Sequence, residues 1–236
     1  MTLPPPPALS PWERSVALPI LRGSLRGRLW LPASRGKVLR ILLGTYEAEQ
    51  TALFFDTVRP GWTVLDVGAH AGYYALLASD RVGPQGRVAA FEAHPRNAAF
   101  LREHVRLNRL ANVQVVEAAV ARAPGRARFG GGTGTGTGRL DPRGDFEVEA
   151  VSLDAFCAGP DKGPDAVKLD VEGAELDVLE GSRQVLRGAR PALFLSTHGP
   201  EVHRKCLDFL RPFGYAFRPM AGQDLETATE VLCLPA

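Results

Sequence analysis

The sequence is poor in cysteine, in lysine and in long apolar runs. Three cysteines among 236 residues, Cys157, Cys206 and Cys233, stand far apart, with no C-x-x-C or Cys/His spacing. That excludes a zinc ribbon, and an odd count argues against a disulfide framework, so a reducing, cytoplasmic setting is expected. No apolar run approaches the ~20 residues that cross a bilayer. The opening stretch MTLPPPPALSPWERS lacks the basic start and apolar core of a secretion signal, and its prolines read as a flexible lead. Excess charge is also missing: 28 basic against 26 acidic residues leave +2, too little to imply a nucleic-acid partner. The run GGGTGTGTG (130–138) is followed by no Gly-Lys-Ser/Thr, so it is not a phosphate loop. It reads as a surface loop, placed where a mobile substrate lid could sit.

The charge that is present is uneven. Four of the 28 basic residues are lysine, which leaves 24 arginines. Residues 1–44 carry Arg14, Arg22, Arg26, Arg28, Arg35, Lys37 and Arg40 against one acid, Glu13. A solvated face is the plain reading. A patch for an anionic substrate would instead lose affinity steeply with salt.

Hydrophobic residues make up 45% of the chain and charged residues 23%, enough for a sizeable core in one α/β domain with an N-terminal segment. Residues 1–15 read as irregular, and residues 21–34 as one or two short strands. Thr45–Val58 has helical spacing, with Leu53, Phe54 and Val58 on one face, and Arg59-Pro60-Gly61 ends it. A rhythm follows. TVLDVG, GRVAAFEA, NVQVVEAAV, AVKLDV and PALFLSTH read as buried strands. Between them stand YYALLASDR, PRNAAFLREHVRLNRL and GAELDVLEGSRQVLRGA as helices, and PEVHRKCLDFLRPFG follows as another. YAFRPM and EVLCLPA close the chain as strands. Such alternation predicts a mostly parallel sheet covered on both faces. Ala127–Phe129 and Phe146–Val151 predict an inserted hairpin.

Ligands of such sheets bind at the carboxyl ends of the strands. The first strand ends DVGAHAG, with Asp66 two residues before Gly68 and Gly72 four after it. Glycines there permit a tight turn and close backbone approach. The spacing is not that of dinucleotide folds, and an acid inside the strand suits an ammonium better than a pyrophosphate. Glu92 ends the second strand, where an acid can take both hydroxyls of a ribose. Glu117 and Ala118 end the third and could flank an adenine. Together, in order, they favour a nucleoside-type cofactor.

With VLDVGAHAGYYALLAS, AFEAHPRNAAFLREHVRLN, VSLDAF and VKLDVEGAELDVLEG, the chain resembles S-adenosylmethionine-dependent methyltransferases of the FkbM family from about Tyr46 to His198. The resemblance implies a class I (Rossmann-like) fold, α/β, with a seven-stranded sheet whose last strand is antiparallel. It makes residues 1–44 a basic, partly irregular extension and residues 45–236 the methyltransferase domain. It implies S-adenosylmethionine contacts at Asp66, Gly68, Gly72 and Glu92, with Ala69 and His70 in the same turn. Tyr46 and Glu47, in TYEAE, would lie near the methionine end. Three positions depart from the family: His70 stands for a frequent Asn, Ala93 for Pro, and Ser196 for an acid.

The stretch VKLDVEGAELDVLEG (Val167–Gly181) sets an apolar run against five acids. Glu175, Asp177 and Glu180 read as structural, since acids complement a helix start. Asp170 does not, because burying a lone carboxylate is costly. Methyl transfer to a hydroxyl gains from a base. Asp170 is one candidate and His198, at the end of the fifth strand, the other; if the two converge, Asp170 could orient His198. Asp170, Glu172 and His198 also offer oxygen and nitrogen ligands for Mg²⁺ or Mn²⁺, a less favoured alternative. The expectation is an O-methyltransferase acting on a hydroxylated small molecule: a sugar, polyketide or other secondary metabolite. The absence of an NPPY-type run disfavours exocyclic amines of nucleobases. The rivals are a non-catalytic S-adenosylmethionine-binding relative, which Ser196 would suit, and an NAD-binding oxidoreductase, which the glycine spacing disfavours.

Overall fold

The computed structural model describes residues 9–34, 37–130, 139–140, 144, 146–159, 163–220 and 222–236. The proline-rich lead and nearly all of the 130–138 loop lie outside the described residues, and with them the question of a lid.

The N-terminal segment comprises α1 (Pro11–Ser15), β1 (Leu18–Pro19), β2 (Leu29–Trp30) and α2 (Val38–Leu42). Then come α3 (Ala48–Thr57), β3 (Thr63–Val67), α4 (Tyr73–Val82), β4 (Arg87–Phe91), α5 (Pro95–Leu107) and β5 (Val113–Val116). An inserted region follows: β6 (Ala119–Val120), β7 (Gly125–Gly130), β8 (Arg139–Leu140), β9 (Phe146–Val151) and α6 (Leu153–Phe156). The chain returns with β10 (Ala166–Leu169), α7 (Glu175–Glu180), α8 (Arg183–Gly188), β11 (Ala192–Ser196), α9 (Pro200–Leu210), β12 (Tyr215–Pro219) and β13 (Glu230–Pro235).

The main sheet has seven strands in the order β12-β13-β11-β10-β3-β4-β5. β13 runs antiparallel to both of its neighbours, and the other pairings are parallel. This is the predicted sheet. The central strands are buried along nearly their whole length, as strands covered on both faces must be. The order reverses between β3 and β10, which opens a crevice beyond their carboxyl ends.

Several expectations change. Residues 11–15 form a helix instead of an irregular lead, because Ser10 and Glu13 close a capping box and Glu13 is held by Arg96. The third strand stops at Val116: the Ala118 amide bonds back to the Val116 carbonyl, and β6 leaves for a second sheet, of order β6-β9-β7-β8. The expected hairpin is present there, with Phe129 opposite Phe146. The single helix expected over 173–189 is two. Gly181 breaks it, since a Cβ at that position would collide with the Ala121 carbonyl, and the Ser182 hydroxyl bonds the Val178 carbonyl at 2.6 Å.

The N-terminal segment packs onto the larger unit. Leu9, Ile20, Leu25, Trp30, Leu31 and Ile41 share one buried cluster with Phe54, Tyr73, Leu76 and Phe100. α5 holds it there. The Asn108 amide clasps both backbone groups of Leu29 at 2.8 and 2.9 Å, and Trp30 stacks on His104 at 3.9 Å. His104 accepts from the Leu31 amide through Nε2 and donates from Nδ1 to the Ala71 carbonyl. Burial lowers its pKa to about 4, so it serves as a neutral connector.

Candidate active site

A cavity of about 550 Å³ opens beyond the carboxyl ends of β3, β4 and β10. Of the residues expected at a site, Tyr46, Glu47, Asp66, Gly68, Ala69, His70, Glu92, Ala118, Asp170, Glu172 and His198 line it. Two do not. Glu117 turns away to pair with Arg102 of α5, because the chain jogs there between two sheets. Gly72 caps α4 at φ 99°, packed against Leu101, so its contribution is to the turn.

The β3 end is built by backbone. Gly68 has φ 86°, and any Cβ there would strike the carbonyl oxygen of Asp170. The two central strands therefore approach through a glycine. Asp66 is buried, and its Oδ2 has no hydrogen-bond partner among the described residues. Burial pushes its carboxyl up to about 7 against the pull of the Lys168 ammonium. Such an orphaned acceptor facing a cavity suits a cationic ligand group. Glu92 is held by the amides of His70 and His94, each at 2.7 Å. Burial raises it too, to about 7, despite those two bonds. The amide of His70 reaches Glu92 because residue 70 sits at φ 49°.

The opposite wall is titratable. His198 Nδ1 lies 2.8 Å from Glu175 Oε1, while Nε2 faces Glu172 at 3.4 Å and Asp170 at 3.7 Å. The bond to Glu175, then the charges of Glu175, Asp170 and Glu172, raise His198 to about 9, against desolvation. Asp170 and His198 do converge, but the carboxylate that orients the ring is Glu175. This residue reads as structural in the sequence. It is fully buried in the first turn of α7 and reaches Nδ1 from beneath. The signal for it was available: an acid two residues beyond Gly173, whose amide it accepts at 2.9 Å.

Lys168 was missed altogether, hidden inside an apolar strand. It is buried, and its ammonium donates to Ser196 Oγ at 2.7 Å and to Asp170 at 3.3 Å, beneath the Tyr74 ring. Ser196 in turn donates to Glu230 Oε2 at 2.7 Å. Position 196 lacks an acid, but β13 brings a carboxylate to its hydroxyl, since Ser196 and Glu230 are register partners. Burial works against the Asp170 charge, yet Lys168 and His198 hold its carboxyl below the usual range. Glu47, at the start of α3, accepts from the Tyr74 hydroxyl at 2.9 Å.

Strand order and crevice together define a class I methyltransferase fold. The chain belongs to the FkbM methyltransferase family, whose domain model matches residues 66–217. It is 27% identical over 153 residues to the 2-O-methyltransferase NoeI of Sinorhizobium fredii, covering 56% of this chain and 62% of that protein. The curated relatives it matches are spanned over 15% to 62% of their length. Among solved structures, the methyltransferase FkbM of Methylobacillus flagellatus superposes with a TM-score of 0.54 at 18% identity, covering 84% of this chain and 52% of that one. A precorrin-6y C5,15-methyltransferase of Geobacter metallireducens gives 0.51 at 20% identity, covering 80% and 88%.

Proposed function

We propose that the protein transfers a methyl group from S-adenosylmethionine to a hydroxyl of a small molecule such as a sugar, a polyketide or another secondary metabolite. The observation that carries this reading is one cavity with two unlike walls. One wall holds the orphaned Asp66 and the amide-held Glu92, and the other holds the His198 cluster. Asp66 would take the ammonium of the cofactor, Glu92 its ribose hydroxyls, and Ala118 its adenine. Bound there, the cofactor supplies an electrophilic methyl on a sulfonium.

The chain supplies position and a proton acceptor. Glu175 accepts from Nδ1–H of His198 and so leaves Nε2 as the nitrogen that takes the hydroxyl proton. Asp170, kept charged beside Lys168, holds the hydroxyl toward Nε2, and the flanking carboxylates stabilise the imidazolium that forms. The NoeI similarity supports an oxygen acceptor. The soluble setting we propose is the cytoplasm; among the described residues no helix is long and apolar enough to cross a membrane.

The first test is thermal stability with S-adenosylmethionine, S-adenosylhomocysteine or NAD added separately. A shift with the sulfonium or its product alone is expected, and a shift with NAD alone would overturn the assignment. S-adenosylhomocysteine release is then screened over hydroxylated acceptors. His198→Gln should keep cofactor binding and lower kcat on the order of 10²–10⁴-fold. A second reading has one observation in its favour: ligand atoms of Asp170, Glu172 and His198 lie within 4.8 Å of one another, close enough to share a divalent cation. In that reading Glu175 would orient the ligating imidazole. Full turnover after exhaustive chelation would exclude it.

A further inference from the structure

The N-terminal segment exposes what the rest of the molecule hides. Among the described residues, seven large hydrophobic side chains are exposed, and six of them lie between Trp12 and Leu43. They are Trp12, Val16, Leu18, Leu21, Leu39 and Leu43, with Trp12 at 67% and Leu39 at 70% exposure. Lone exposed hydrophobic residues need no explanation, but six within one short segment form a pattern.

Backbone contacts bring the centre of this surface together. The Leu21 amide donates to the Leu42 carbonyl at 2.8 Å, and Gly44 packs against the backbone of Arg22 and Gly23. Leu39 and Leu43 stand four apart on and just beyond α2 and share a face. Ile41 points the other way, into the core and the cavity wall. In the same segment Arg14, Arg22, Arg26, Lys37 and Arg40 are all exposed. The one acid of the segment, Glu13, is buried on Arg96. Between residues 9 and 44 no described acid is exposed.

Charge decides the occupant. A second copy of this chain would set five exposed basic residues against the same five, which disfavours self-association. Nucleic acid would meet the arginines but gain little from leucines. An anionic bilayer surface matches both parts: apolar side chains enter the headgroup boundary while arginine and lysine meet phosphate. The same segment also contributes Trp30, Lys37 and Ile41 to the cavity wall.

We propose that the exposed side chains of residues 12–26 and 37–43 form a peripheral docking surface for anionic lipid, which sets the cavity mouth at the membrane interface. The acceptor class favoured there is a hydroxyl carried by an amphiphile. The docking claim is independent of the methyl-transfer reading, because it can be tested without cofactor or acceptor.

The test is cosedimentation of the full chain with phosphatidylcholine vesicles and with vesicles rich in phosphatidylglycerol. Binding to the anionic vesicles alone, falling with salt, is expected. Arg22→Ser with Arg40→Ser should lower partition roughly fivefold per arginine, the equivalent of about 1 kcal/mol for each basic residue near such a surface. Leu39→Ser with Leu43→Ser should lower it at every salt concentration. All four positions are exposed or carry no core contact, and unchanged melting of the variants checks that they fold. No binding to anionic vesicles, binding that ignores both double variants, binding to transfer RNA but not vesicles, or a dimer in sedimentation that the leucine variant dissolves would each overturn the proposal.

Discussion

Asp66 and Glu92 are buried carboxylates on one wall of the cavity. Both are raised to about 7, so near neutral pH each is partly protonated. An ammonium partner needs the charged form of Asp66. Affinity for S-adenosylhomocysteine should therefore rise with pH through about 7 and weaken several-fold by pH ~6, as read by calorimetry. Asp66→Asn should flatten that dependence. The same shifts act on stability with the opposite preference. The folded values lie above the unfolded ones, so the unliganded protein loses stability as pH rises from about 4 through 7. His198 follows the rule for a cationic group. Its folded value of about 9 exceeds 6.5, so its stabilising contribution is full below pH 6.5 and lost as pH rises through 9. If its neutral form accepts the proton, kcat should climb toward a limb near 9, and a pH–rate profile measures it.

At the scale of elements, the site depends on how closely β3 and β10 approach at their ends. Gly68 is the point of contact, at positive φ and against the Asp170 carbonyl. Gly68→Ala should cost several kcal/mol, more than the ~1–3 kcal/mol of backbone strain alone, because the clash is with backbone and not with a movable side chain. A lowered melting temperature together with weakened S-adenosylhomocysteine binding is the expected result. Most of this was legible in the sequence. The strands were written as apolar runs, and the DVGAHAG turn and Glu92 marked one wall of the cavity. The element errors have local causes. The third strand was read too long because VVEAAV is apolar apart from Glu117, and only a second sheet, pairing Ala119 with Ala150, draws the chain aside. The helix break at Gly181 lay outside periodicity, since it answers to the neighbouring Ala121 carbonyl.

For the molecule as a whole, the N-terminal segment and the larger unit share one core, and Trp30 is their joint. It is buried at 1% exposure, stacked on His104, and lines the cavity. Trp30→Ala should cost about 3–5 kcal/mol and lower the melting temperature by roughly ten degrees. The cavity would lose one wall at the same time, so ligand-dependent stabilisation should shrink as well. A melting scan with and without S-adenosylhomocysteine reads both.

The sequence by itself determined the alternation of buried strands and amphipathic helices, the glycine turn after β3, and the acids at strand ends. These are local patterns, set by side-chain period and by backbone conformations that few residues adopt. Only the tertiary structure decided that Glu175 orients His198, that Glu230 stands in at Ser196, and that Lys168 lies between Asp170 and Ser196. It also decided that Trp30, Lys37 and Ile41 of the N-terminal segment line the cavity. Those pairings join residues far apart along the chain, or hidden within an apolar run. Their partners are chosen by strand order and register, which no local pattern encodes.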